Sequence, residues 1–276
     1  MFLLTKEDVG KSSVKPFAMN SIINKVIAVF IISFSCSLVK AQDKAAKYET
    51  GAAISVFIYQ GDLTPRRLGS FETMRFGLNL HGSKIMSRFF MLRTNLAIGG
   101  LRGDDARYNN PAFRKQRNFN FRTPVVELSQ LLVYNPLGRN YADKGFSPYF
   151  FGGAGLSFLR IKRDRSNFNA AYFGDESGIP AGLVLDEQKN PPRIIPVIPL
   201  GAGIRYNLSS RISMYAESSY RLVFTDYLDG FSKAANPKQY DHYHTTSAGA
   251  IYRIGKKVLQ DCPVIRDRKS VVWERV

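Results

Sequence analysis

The chain is poor in the residues that staple small secreted domains or hold metals. It has 2 cysteines, 3 histidines and a single tryptophan in 276 residues. Cys36 falls inside an amino-terminal apolar segment, which leaves Cys262 alone, and one thiol makes no internal disulfide. Ser33-Phe34-Ser35 departs from the lipobox that precedes a lipidated cysteine, so acylation at Cys36 is not expected. No metal-ligand spacing, phosphate-binding glycine loop or nucleophile elbow occurs, so neither a metal nor a cofactor is expected. Beyond residue 41 no run approaches the ~20 apolar residues of a membrane-spanning helix. Acidic residues are scarce as well: 22 against 39 Lys and Arg, a formal net charge of +17. That excess suits an anionic partner such as lipopolysaccharide or an acidic protein face. With no nucleic-acid-binding motif, nucleic acid is not expected.

What the chain does have is alternation. In RISMYAESSYRLVFT, residues 211–225, every second residue is apolar: Ile212, Met214, Ala216, Tyr220, Leu222 and Phe224, with Ser218 the only polar intruder. Ser213, Tyr215, Glu217, Ser219 and Arg221 take the other face. A period of two is a strand, and this one outruns the ~5–6 residues usual in a soluble sheet. Charges along one face of so long a strand are costly in a dry core, but natural in a polar lumen with lipid on the other side. Seven more stretches repeat the pattern, over 48–59, 73–81, 88–99, 120–135, 147–161, 194–207 and 243–254. Eight is an even number, and long polar connections alternate with mostly short ones, as in outer-membrane barrels with loops outside and turns in the periplasm. The expected fold is all-β: an eight-stranded antiparallel up-and-down transmembrane barrel with both chain ends on the periplasmic side.

Such a barrel is just wide enough for side chains to fill it. The candidate lumen charges are Glu49, Arg75, Arg93, Glu127, Arg205, Glu217, Arg221 and Arg253. Opposite signs in those numbers predict a salt-bridged plug and no open channel, because a buried charge must be paired. Asp241, His242, His244 and Ser247 contain the residue types of a hydrolytic triad, but they read as polar rim residues, and no catalytic set is expected.

The amino terminus reads as an address. Residues 19–41 have a basic start at Lys25, an apolar run over 26–38 and Val39-Lys40-Ala41 at the cleavage position, which makes a secretory signal peptide. Residues 1–18 are an extended n-region or a start placed too early. The barrel domain is expected over 42–257 and a disordered tail over 258–276. The last residues, DRKSVVWERV over 267–276, begin with the translation of one frame of a common sequencing adapter, so this end is expected to be foreign to the gene.

Several motifs are familiar. YETGAAISVFIYQGDLTP from Tyr48, GDDA from Gly103, FRTPVVELS from Phe121, SPYFFGGAGLSF from Ser147 and FTDYLDG from Phe224 resemble a family of outer-membrane β-barrels of Bacteroidota-type bacteria. That family includes PorG, the barrel component of the type IX (Por) secretion system. The resemblance implies a non-enzymatic barrel, an anchor or assembly component with periplasmic secretion-ring proteins as partners, and brings no catalytic residues. Asp226, Tyr227, Leu228, Asp229 and Gly230 form its motif loop on the outer side. A small porin or adhesin, or an outer-membrane lipid-modifying enzyme, are the competing roles.

Overall fold

A computed structural model describes residues 47–66, 69–235 and 241–255. The leader, the segment before it and the tail lie outside the described residues. Eight long strands run in order: β1 (Tyr48–Gln60), β2 (Arg75–Ile85), β3 (Phe90–Asp104), β4 (Asn120–Tyr134), β5 (Gly145–Leu159), β7 (Ile194–Asn207), β8 (Ile212–Val223) and β9 (His242–Ile254). A short strand, β6 (Lys162–Asp164), pairs only with the outer end of β4. Each long strand pairs antiparallel with its neighbours, and β1 closes onto β9 from Tyr48↔Ile254 to Gln60↔His242. Closure leaves no long strand with an open edge, which is what a sheet in hydrocarbon needs.

Alternation sets the two faces. Along β4, Phe121, Thr123, Val125, Glu127 and Ser129 point inward and are all 0% exposed, while Val126, Leu128 and Leu132 point outward and are exposed. The same holds around the wall, with Ile54 65%, Phe76 70%, Phe150 55% and Met214 57% exposed. Soluble monomers rarely show a contiguous apolar patch above a few hundred Å²; here the apolar side chains form a belt around the barrel. Aromatic pairs Phe90–Tyr134 (5.2 Å) and Phe146–Tyr206 (4.8 Å) edge the belt at the end with the short turns. Such girdles mark the bilayer interface. The belt, closure and girdle make this a transmembrane barrel of the outer-membrane type. None of the described helices is long and apolar enough to cross a membrane, so the strands do the crossing.

The sequence departs from the structure mainly at the strand ends. β2 continues to Ile85 and β3 to Asp104, past the expected ends at 81 and 99. Ile58 is outward by parity but 2% exposed, because the segment after Gly69 folds back over β1. A Cβ on Gly69 would stand 2.4 Å from the Tyr59 carbonyl oxygen and 2.7 Å from Ile58 Cγ2, and its φ of +79° suits glycine. The expected loop over 162–192 contains β6 and a helix, Ile179–Gln188, with proline in its first turn.

Candidate functional site

The lumen is filled in layers. At the end with the short turns Ile85, Met91, Leu131, Val133, Tyr149 and Phe151 form an apolar floor. Inward Gly201 and Gly203 of β7 make room for that layer's rings: a Cβ at either would lie 2.5 Å from Phe151 or Tyr149. Ion pairs reach across the barrel within this layer and above it. Arg93 on β3 donates to Glu217 on β8 at 2.8 Å, and Tyr149 donates to the same carboxylate oxygen at 2.8 Å. Arg221 on β8 donates to Glu127 on β4 at 3.0 Å, joined by Tyr243 at 2.9 Å and Ser129 at 3.2 Å. Arg205 on β7 and Arg253 on β9 share Glu49 on β1, at 2.9 and 3.2 Å. Arg93–Glu217, Arg221–Glu127 and Arg205–Glu49 each join strands that are not adjacent in the ring, so these three are crossbars, whereas Arg253 and Glu49 are register partners on the neighbouring strands β9 and β1. Seven of the eight expected lumen charges are buried there. Arg75 is the exception: it sits at the outer end of β2 where the wall ends, and it is exposed.

Tyr149 and Tyr243, which complete the glutamate shells, were not singled out from sequence. Their signal was inward parity beside Phe151 and Thr245.

The outer mouth is closed by an apolar layer and the loops. Phe57, Tyr59, Phe121, Val125 and Tyr243 from the strands pack with Leu63, Phe119, Leu183, Leu228 and Phe231 from the connections. The motif loop Asp226–Gly230 is buried in this cap and not displayed: Leu228 and Asp229 are 0% exposed, and the Leu228 carbonyl accepts from Thr123 at 2.9 Å. Asp186, on the helix Ile179–Gln188, accepts from the backbone amides of Ser232, Lys233 and Ala234 at 2.9–3.2 Å and so ties the two longest connections together. Asp105, the second aspartate of the GDDA motif, is clamped by Arg114 at 2.8 Å and Arg117 at 2.6 Å.

A carboxyl pair sits inside the cap. The Tyr59 hydroxyl lies 2.9 Å from Asp229 Oδ2 and 2.7 Å from Asp241 Oδ1. One hydroxyl carries one proton, so it donates to a single carboxyl, and the second contact needs a protonated partner. Burial pushes both carboxyls well above the usual aspartate range, with the charge of Asp241 adding to the effect on Asp229. Burial also pushes Asp226 up to about 7, helped by Asp62 and Asp186. The folded cap therefore holds protons that the unfolded chain releases near pH 4. Its stabilisation is complete below that pH and is lost as pH rises toward 7 and beyond. Amide exchange at Leu228 and Phe231, whose N–H groups donate to Asp241 (3.1 Å) and Asp229 (2.8 Å), should be slower at pH 5 than at pH 8 after correction for intrinsic exchange. Asp229→Asn should flatten that dependence; equal protection at both pH values in the unaltered chain contradicts the shared proton.

The residues with hydrolase-like identities do not converge. Ser247 faces the lumen and bonds Ser55 at 2.8 Å, His242 accepts from the Val223 amide at 3.3 Å on the outer face, and Asp241 holds Tyr59. Among the described residues no group of three or more potential metal ligands occurs.

Residues 24–253 match the sequence model of a family described as a domain of unknown function, DUF6089. No curated protein matches the chain by sequence. Among solved structures, the attachment invasion locus protein Ail of Yersinia pestis, in complex with the heparin analogue sucrose octasulfate, aligns over 76% of this chain and 99% of its own at 13% identity and a TM-score of 0.41. OprG of Pseudomonas aeruginosa aligns over 77% and 97% at 10% identity and 0.41. The outer-membrane enzyme PagL aligns over 74% and 99% at 12% identity and 0.35.

Proposed function

The chain belongs to the DUF6089 family, and from its blocked lumen we propose a structural, non-enzymatic role: an outer-membrane barrel that anchors or helps assemble other envelope components and conducts nothing. The observation that carries this reading is the set of cross-lumen pairs Arg93–Glu217, Arg221–Glu127 and Arg205–Glu49, each between strands that are not neighbours. A solute would have to break buried ion pairs, at a cost of about 3–5 kcal/mol for each pair. The apolar cap above and the apolar layer among the pairs close the path again. What such a barrel offers is its rigid outer surface, its short turns and its termini.

The finer reading is an anchor for the type IX secretion apparatus, facing periplasmic ring proteins. It is supported by FRTPVVELS and FTDYLDG, and these motifs supply inward-facing β4 residues and the buried cap loop. Purified protein in planar bilayers should give no unitary conductance steps. Reproducible steps would replace the sealed anchor with a small porin. Affinity capture from crosslinked envelopes tests the finer reading: ring proteins of the secretion system should co-purify, and their absence from the captured set removes it.

A further inference from the structure

The outer rim of the barrel is not evenly charged. On the β3–β4–β6 wall, Arg102 lies opposite Arg122, and Arg122 lies opposite Lys162. All three side chains point outward, by parity with Val126 on β4. Directly opposed side chains in an antiparallel pair have Cβ atoms about 4.5–5.5 Å apart, and like charges so placed destabilise the sheet. A row of three cations therefore needs an anion. Asp104, in the next row outward, takes Arg102 at 2.8 Å and Arg107 at 3.3 Å. Asp164, also in that row, is occupied by the Ser166 amide at 2.9 Å and by Asn120 at 3.5 Å. Among the described residues, Arg122 and Lys162 have no ion pair.

Two further cations adjoin the row on its membrane side. The Arg160 amide donates to the Pro124 carbonyl at 3.3 Å, which sets Arg160 one row nearer the bilayer than Arg122. Arg193 immediately precedes Ile194, and its carbonyl accepts from the Leu159 amide at 2.7 Å. Arg160 and Arg193 line a recess of about 810 Å³ with Asn190, Pro191 and Pro192. Both are exposed and, among the described residues, in no ion pair.

The height of this patch identifies its ligand. The outermost apolar row of this wall is Ile98–Val126–Phe158–Ile194, paired in register and exposed. Arg122 is four residues beyond Val126, which is about 13 Å along the strand and roughly 10 Å along the membrane normal at the usual tilt. The headgroup layer is about 5–7 Å deep on each side, and Arg and Lys side chains can reach back into it. Among the described residues, the outward faces of β8 and β9 present Tyr220, Leu222, His242 and His244 toward their outer ends, with no Lys or Arg. Among the described residues, the cations on the outward faces of these strands thus lie on the β3–β4–β6 side, within reach of the headgroups.

We propose that Arg122, Arg160, Lys162 and Arg193 form a binding site for the phosphate groups of an anionic glycolipid in the outer leaflet. Phosphates at that depth neutralise the opposed row, and the recess beside Arg193 takes the adjoining sugar. The inference rests on the outer-membrane reading, so the test separates the two. The full chain is folded into phosphatidylcholine liposomes, with and without bisphosphorylated lipid A, or lipid A stripped of its phosphates. Insertion is scored by protease protection, and lipid A retention is scored after extraction in mild detergent.

The expected result is insertion in all three lipids and retention of the bisphosphorylated form only. Arg122→Gln/Arg160→Gln/Lys162→Gln should insert equally well. At about fivefold per basic residue near an anionic surface, its retention should fall on the order of a hundredfold. Equal retention of both lipid A forms, or unchanged retention by the triple variant, overturns the site while leaving the barrel in the membrane. Failure to insert into phosphatidylcholine overturns the membrane reading and the site with it. A triple variant that does not insert is replaced by Arg160→Gln alone, with a fivefold loss expected and no loss counting against the site.

Discussion

Glu217→Ala lowers the unfolding free energy of the detergent-folded barrel by about 3–5 kcal/mol, the usual cost of breaking a buried ion pair from one side. The carboxylate receives Arg93 and Tyr149 on one oxygen, each at 2.8 Å. Removing it leaves a guanidinium that is 0% exposed with no counter-charge, and water cannot reach it without opening the floor or the cap. The loss is therefore much larger than for an exposed pair such as Arg165–Glu187, where about 0.2–1 kcal/mol is typical. Removing both partners should recover much of it: Arg93→Met/Glu217→Leu replaces the crossbar with apolar volume, and such replacements are often neutral. Denaturant titrations of the two variants beside Ser218→Ala, one residue away on the outward face, check the argument. A single-site loss no larger than that of Ser218→Ala contradicts it.

Leu200→Arg gives the second large effect. Leu200 lies midway along the outward face of β7, opposite Gly152 and Tyr220, and is 46% exposed. In a water-soluble barrel an exposed leucine could become arginine within about 0.5 kcal/mol. At the bilayer midplane the same change costs about 2–4 kcal/mol, because the guanidinium must drag water and headgroups inward. Folding titrations into liposomes read that difference.

How much of this was legible follows from where the period of two applies. Within the membrane, parity is enforced by lipid on one side and a packed lumen on the other, so β8 could be read residue by residue. Glu49, Arg93, Glu127, Arg205, Glu217, Arg221 and Arg253 were found by parity alone. At the rim neither constraint acts. Arg75 keeps inward parity but has no lumen around it, and Ile58 keeps outward parity but lies beneath the segment after Gly69. The partners within the lumen were not legible either, since Arg93 and Glu217 are joined only by closure of the ring. The cap depends on contacts between distant loops, such as Asp186 with the amides of 232–234, for which local sequence carries no signal. The helix Ile179–Gln188 did have one: Pro180 in its first turn, where the missing N–H costs nothing.

The claim on which the others stand is that lipid touches the outward face of these strands. The most direct measurement is an arginine scan down the outward face of β7, at Leu200, Ile204 and Tyr206, with folding free energies taken in liposomes. The destabilisation should be greatest at Leu200, at about 2–4 kcal/mol, and fall toward 0–1 kcal/mol at Tyr206 in the girdle. A flat profile near zero would mean that water, not hydrocarbon, surrounds the barrel.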